Sequence, residues 1–211
     1  GNLSNLFAHG REVAIGNVES ATILNDDAAS LTVSNLNGLE GDFNQAAFDF
    51  LVILNGTVDT SFSVDVATTE VNGAIAEIDF VSSSDTLEFS GNDAESQTFQ
   101  VQVIDDDLVE SDESFGLNFS NLQAEGREIT LIDGTGTIVN DDLAEMSIDD
   151  VTLAEGNDSS TTDRVFTVSM QTPASRDVTV VANTISETAF GGGNDYVDIS
   201  NQVVTIPAGQ T

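Results

Sequence analysis

One acidic stretch, residues 105–113, holds the side chains with the clearest potential for chemistry. It reads DDDLVESDE, so six of its nine residues carry a carboxylate, and no lysine or arginine lies near it in sequence. Like charges at this density destabilise a loop unless a cation binds between them. Ca²⁺ takes about six to eight oxygen ligands, preferably from carboxylates and carbonyls. The stretch therefore predicts a calcium site, with a solvated acidic loop as the alternative.

The whole chain shares this acidity. Its 211 residues include 37 acids, four arginines and no lysine, which gives a formal net charge of −33. Such a charge repels nucleic acid and anionic membranes, and it strains a compact fold unless cations bind. No apolar run approaches the roughly 20 residues that a membrane span requires. We therefore expect no nucleic-acid partner and no direct membrane insertion.

Internal repetition divides the chain into units of about 115 residues, as in a tandem array. The segment NLSNLFAHGREVAIGNVESATILNDD from Asn2 returns as NFSNLQAEGREITLIDGTGTIVNDD from Asn118. In the same way, LTVSNLNGLEGD from Leu31 returns as MSIDDVTLAEGN from Met146. Three parts are predicted: the C-terminal strands of a preceding repeat (1–27), a complete repeat (28–142) and the N-terminal part of a following repeat (143–211).

Short strands account for the periodicity within the unit. Apolar and polar residues alternate in FDFLVIL (48–54) and SFSVDVAT (61–68), and again in VFTVSM (165–170) and VTVVA (178–182). Glycine, asparagine, aspartate and serine cluster between them as turn residues, and no segment has a convincing helical period. Seven or so strands in about 115 residues predict an all-β fold of tandem antiparallel β-sandwiches.

Four motifs in this order resemble a Calx-β repeat. They are EG after the first strand (40–41), DF or DY in mid-domain (79–80 and 195–196), IDDDLVESDESF (104–115) and a closing TIVNDD (137–142). The resemblance covers the whole chain. It implies immunoglobulin-like sandwiches, often in tandem, with Ca²⁺ bound by loops at one end. The loops of a sandwich do gather at its two ends, so the acidic segments could meet at one pole.

The resemblance implies nine metal ligands. They are Glu40, Asp79, Asp105, Asp106, Asp107, Glu110, Glu113, Asp141 and Asp142. Asp112 is expected to point to solvent, because the family pattern uses the glutamates that flank it. Two assignments have a structural alternative. Asp79, before an aromatic residue, could cap a turn, and Glu40, before a glycine, also suits a turn.

The sequence departs from the family pattern at Asn140, where a calcium-sensing member has an aspartate. An amide oxygen can still ligate Ca²⁺, but a weaker or smaller ion cluster is expected. In the partial copies, Asp26 and Asp27 match Asp141 and Asp142, while Glu155 and Asp195 match Glu40 and Asp79. Neither partial copy holds a complete site within the sequence.

Enzyme chemistry has little support in the residue types. The chain has no cysteine and no lysine, and Glu125 replaces its single histidine, His9, in the repeated segment. The glycine run at 191–193 precedes neither a helical pattern nor a P-loop lysine. Paired carboxylates could serve a glycosidase, but here they occupy positions that the resemblance assigns to metal. We expect a protein that is not an enzyme.

The leading interpretation is a calcium-binding structural or adhesive module of an extracellular or cell-surface protein, with Ca²⁺ as its cofactor. Its partners would be neighbouring repeats, with cell-surface or carbohydrate ligands as further candidates. A Ca²⁺-sensing regulatory domain and a Ca²⁺-dependent carbohydrate-binding module are the alternatives. Ca²⁺ affinity separates the sensor from the leading interpretation, because sensors bind Ca²⁺ with a Kd of about 10⁻⁷ to 10⁻⁵ M and extracellular modules with a Kd of about 10⁻⁴ to 10⁻³ M.

The joint between repeats is short. Only Leu143–Glu145 separate Asp142, at the end of one repeat, from Met146, at the start of the next. This linker contains neither glycine nor proline, so it is neither a flexible coil nor a polyproline spacer. Because Asp141 and Asp142 lie at the joint, an ion bound there is expected to stiffen tandem copies.

Overall fold

Thirteen β-strands form the structure, a computed structural model that describes residues 9–13, 20–22, 28–41, 46–154 and 161–211. In chain order they are β1 (Ala29–Val33), β2 (Leu36–Leu39), β3 (Ala47–Asn55), β4 (Phe62–Val71), β5 (Ser84–Phe89), β6 (Ser96–Gln102), β7 (Glu113–Gln123), β8 (Ile129–Ile132), β9 (Gly134–Val139), β10 (Met146–Ile148), β11 (Val168–Met170), β12 (Val178–Ala182) and β13 (Gln202–Ile206). In these residues there is no helix that could span a membrane. The predicted strands of residues 1–27 fall mostly outside the described part of the chain.

Strands β1–β9 form a sandwich of two sheets, so the predicted all-β sandwich is confirmed. One sheet has the order β6-β3-β1-β8 and the other β2-β9-β7-β4-β5. Buried and exposed residues alternate along β3 and β4, as the sequence pattern predicts. Not every pair is antiparallel, because β1 lies parallel to β8 and β2 parallel to β9. The first strand of the repeat thus runs beside late strands that point the same way.

Phenylalanine rings fill the interior between the two sheets. Phe80 and Phe115 are fully buried and stack with their ring centroids 4.7 Å apart. Phe50 meets Phe115 edge-on at 5.8 Å. Gly136, on β9, leaves room for this cluster, because a Cβ there would lie 2.4 Å from the Phe115 ring. Asp79 precedes Phe80 directly, so the packed rings fix the backbone that carries this acid.

Residues 146–206 form two strand pairs, β10–β11 and β12–β13, with a small core of their own. The predicted strand 165–170 is shorter than its pattern, since only Val168–Met170 pair with β10. Ile148 is 60% exposed, whereas Val33, its match in the first repeat, is 3% exposed. Val33 packs against Gly134 on β9, and the strands described after residue 143 include no counterpart of β9.

Candidate metal centre

Four chain segments converge at one pole of the first sandwich. Glu40 follows β2, and its N–H donates to the Val139 carbonyl at the end of the parallel strand β9. Asp142 lies three residues beyond that carbonyl. The β4–β5 connection contributes Asp79, and the β6–β7 loop contributes residues 105–113. Because β2 and β9 end side by side, acids that are far apart in sequence reach the same place.

The carboxylates at this pole form two groups. One oxygen from each of Glu40, Asp106 and Asp142 lies within 4.8 Å of the others. The same holds for Asp79, Glu110 and Glu113. Each group offers oxygen donors only, which is the donor type that Ca²⁺ prefers. Six of the nine ligands implied by the sequence therefore lie in two positions that could each hold a cation.

Burial and mutual repulsion make the ionised state of this pole costly. Glu40 is only 4% exposed, and burial, reinforced by the charges of Asp106 and Glu110, raises its pKa to about 8. Burial also raises the pKa of Glu110, with the Asp79 charge adding to the shift. A divalent cation would relieve both effects, because it supplies opposite charge where water is excluded. The residues present thus fit calcium in donor type and charge.

Glu113 is the acid of this pole with an arginine nearby. Burial raises the pKa of Glu113 to about 7, and Asp79 adds to the shift through its charge and a hydrogen bond, while the Arg176 charge opposes it. Arg176 belongs to the following repeat. The sequence gives no sign of this approach, because Arg176 lies 63 positions beyond Glu113 and the motif does not encode how two repeats pack.

Asp79 caps a turn, the structural alternative that the sequence offered for it. Its Oδ2 accepts the Ile75 N–H at 2.6 Å, and its own N–H donates to the Ile75 carbonyl at 2.9 Å. The carboxylate therefore closes a turn and also borders Glu110 and Glu113. Asp195 repeats the turn, accepting the Phe190 N–H at 2.7 Å. Asp195 is exposed, and the other matches, Asp26, Asp27 and Glu155, lie outside the described residues.

The remaining predicted ligands lie outside both groups. Asp105 is half-buried and Asp107 is exposed, while Asp141 accepts the Gly41 N–H at 3.2 Å. Asp112 is exposed and accepts the Asn140 N–H at 3.3 Å. The amide oxygen of Asn140 accepts the Glu110 N–H at 2.9 Å. Asn140 therefore holds the backbone of the acidic loop.

The acidic loop is also the contact between the two repeats. Its Val109 packs against the small core of the following repeat, which consists of Met170, Ala174 and Ile206. The Val109 N–H donates to the Pro173 carbonyl at 3.1 Å, and the Ser175 N–H donates to the Val109 carbonyl at 3.0 Å. The sequence signal for this contact is an apolar pair, Leu108-Val109, inside an acidic run, and the contact was not among the sequence predictions.

Side chains and linker extend the contact. The Ser175 side chain hydrogen-bonds Glu110, which lowers the pKa of that carboxyl against the stronger effect of burial. The Thr172 hydroxyl donates to the Leu143 carbonyl at 2.8 Å, and the Gln171 N–H donates to the Glu145 carbonyl at 2.9 Å. Both ends of the three-residue linker are therefore held by the following repeat.

Comparison with known proteins places these features in a family. The model of the Calx-beta domain matches residues 25–152 and again residues 140–207. A solved apo-form Calx CBD1 domain is 29% identical over 55% of this chain and 99% of its own, with a TM-score of 0.46. A solved CBD12 from CALX1.2 is 24% identical over 86% of this chain and 72% of its own, with a TM-score of 0.45. No curated protein sequence matches the chain.

The two family matches account for the repetition found in the sequence. Together they span residues 25–207, and their overlap falls on the joint. The predicted resemblance, carried by the EG, DF and NDD motifs and the acidic loop, is confirmed. The chain belongs to the Calx-beta domain family.

Proposed function

We propose that the chain is a calcium-binding structural module in which bound Ca²⁺ stiffens the joint between tandem repeats. One observation carries the proposal: the loop that supplies Asp106, Glu110 and Glu113 to the two carboxylate groups also inserts Val109 into the following repeat. Metal binding and repeat docking therefore use one nine-residue segment.

Each carboxylate group would hold Ca²⁺ through residues from different strands. Glu40, Asp106 and Asp142 would hold one ion, and Asp79, Glu110 and Glu113 another. When bound, the ion supplies positive charge that cancels repulsion among these acids. Because Glu110 adjoins Val109, fixing the Glu110 carboxylate limits the positions that the Val109 backbone can take. Docking of Val109 onto residues 173–175 then costs less conformational entropy.

We also propose an extracellular or cell-surface location, an adhesive or spacer role and no catalytic activity. The absence of lysine and the net charge of −33 support a location outside the cell. There Ca²⁺ is abundant enough to fill weak calcium sites. Neighbouring repeats are the partners that the joint supports directly. An affinity of about 10⁻⁷ to 10⁻⁵ M would instead favour the sensor alternative.

Distance measurements across the joint test the proposal. The chain lacks cysteine, so spin labels can be placed at exposed strand positions Thr98, on the first sandwich, and Thr179, on the following repeat. We expect a narrow distance distribution with millimolar Ca²⁺ and a broader one in EGTA. A matched pair inside the first sandwich, Thr98 and Asn118, should keep the same width in both. Equal widths across the joint in Ca²⁺ and EGTA would refute calcium as its stiffener.

A further inference from the structure

The observed joint defines a receptor for the acidic loop. Val109 lies beside Ala174 in a short parallel bridge, bonded to the Pro173 carbonyl and the Ser175 N–H. These receptor residues form the connection between β11 and β12. With Met170 and Ile206, Ala174 makes the end of the core on which Val109 packs. A receptor of this kind needs one carbonyl, one N–H and an apolar residue between them.

At its opposite pole, the complete sandwich has residues at positions that match this receptor. Leu31 pairs with Leu54 as Met146 pairs with Met170, and Phe62 pairs with Phe89 as Val178 pairs with Ile206. Eight positions separate Leu54 from Phe62, and eight separate Met170 from Val178. By this register Val58 corresponds to Ala174. Its neighbours Thr57 and Asp59 correspond to Pro173 and Ser175.

The chain also enters both repeats with the same spacing. After the NDD that ends at Asp142, three residues lead to Met146 on β10. After the NDD that ends at Asp27, three residues lead to Leu31 on β1. An equal linker length between equivalent strands allows the preceding sandwich to take a similar position. Its own acidic loop would then reach Thr57–Asp59.

The pole around Val58 has room for such a loop. A cleft of about 710 Å³ lies between Thr57–Asp59 on one side and Glu125–Glu128 on the other. Within the described residues, neither the Thr57 carbonyl nor the Asp59 N–H is bonded to the backbone of another residue. The Arg127 guanidinium pairs with both Asp59 and Glu125, and this offsets part of the negative charge that the acids lining the cleft present to an incoming acidic loop.

We propose that the cleft between Thr57–Asp59 and Arg127 is the docking surface for the acidic loop of a preceding repeat of this family. The partner inserts an apolar residue, equivalent to Val109, beside Val58, and its backbone bonds to Thr57 and Asp59. Every joint of the array then uses the same contact, with the loop at one pole and the receptor at the other. This inference rests on the joint geometry and does not require calcium.

Engineered disulfides test the proposal in an extended chain. Residues 28–142 are placed ahead of residue 28 of the natural chain, in place of residues 1–27, which reproduces the junction NDDAASLTV. Val109→Cys in the added repeat and Val58→Cys in the next repeat should form a disulfide on mild oxidation. Val109→Cys with Ala174→Cys, at the observed joint, is the positive control. Val109→Cys with the exposed Thr98→Cys is the negative control.

The outcomes are distinct. Cross-linking of the Val109–Val58 pair to a similar extent as the positive control, in Ca²⁺ and in EGTA, supports the docking surface. Cross-linking no greater than in the negative control, while the positive control succeeds, overturns it. Hydrogen exchange on the cysteine-free extended chain gives a second readout. The Asp59 N–H of the docked repeat should exchange at least tenfold more slowly than in the natural chain, and an unchanged rate would also overturn the proposal.

Discussion

At the residue scale, the two carboxylate groups predict which acids of the loop contribute most to Ca²⁺ affinity. Glu110 belongs to a group, whereas its neighbour Asp112 is exposed and points to the Asn140 N–H. Glu110→Gln removes one negative ligand, so we expect Ca²⁺ affinity to fall about tenfold or more, which is about 1.4 kcal/mol. The matched control Asp112→Asn should change affinity less than about twofold. Calorimetric titration measures the Ca²⁺ affinity of both variants. Equal losses of affinity would show that the ligand assignment is wrong.

Stability of the metal-free protein should fall as pH rises. The pKa values of Glu40 and Glu113 are about 8 and about 7, against an ordinary value of 4.5. The folded state therefore binds protons more tightly than the unfolded state, and this contribution is full below 4.5 and lost as pH rises through both values. We expect the melting temperature in EGTA to decrease between about pH 5 and about pH 9.

Glu40→Gln separates this effect from general charge repulsion. The variant loses the group with the higher pKa but keeps the other acids of the pole. Its melting temperature in EGTA should depend less on pH than that of the natural chain, mainly in the upper part of the range. The same pH dependence in both proteins would mean that Glu40 is not the titrating group.

At the scale of elements, the ring cluster sets the position of the pole. Gly136→Ala would place a Cβ against Phe115, and overpacking of this kind costs about 1 to 3 kcal/mol. The neighbouring change Thr135→Ala, on the half-buried face of the same strand, should stay within about 0.5 kcal/mol. Chemical denaturation in EGTA measures both. Equal stability of the two variants would show that β9 can move away from the ring.

The acidic loop is the element that joins the repeats. Val109→Asp would put a charge against Met170 and Ala174, which is unfavourable in an apolar contact. We expect the Ser175 N–H, which donates to the Val109 carbonyl, to exchange with solvent much faster. Ser111→Asp adds the same charge at an exposed position of the loop and should leave the rate unchanged. Similar exchange rates of the Ser175 N–H in the two variants would show that Val109 does not stabilise the joint.

Sequence patterns predicted most strands, and the family resemblance named acids of which six lie in the two carboxylate groups, but neither showed which strands lie side by side. Alternation along β3 and β4 was strong enough to place both strands, because one face of each is buried. Glu40 and Asp142 come together only because β2 and β9 end side by side, a pairing across 100 positions that no local pattern encodes. The docking of Val109 was missed for the same reason, since its partners lie in another repeat.

At the scale of the whole molecule, charge and architecture point to one requirement. A chain with a net charge of −33 concentrates buried acids at the joint between its repeats, where their repulsion opposes docking. Cations that bind there would stabilise both the sandwich and the joint. We therefore expect this chain to bind Ca²⁺ through the two carboxylate groups at its pole.

Thermal unfolding of the full chain, compared between EGTA and millimolar Ca²⁺, tests that claim most directly. Binding to the folded state alone adds about 2.7 kcal/mol at a hundredfold excess over Kd, which corresponds to a rise of about 5 °C or more in Tm. Glu110→Gln should show a smaller rise, while Asp112→Asn should behave like the natural chain. A melting temperature that is the same in EGTA and in Ca²⁺ would show that the folded chain does not bind Ca²⁺ at this pole.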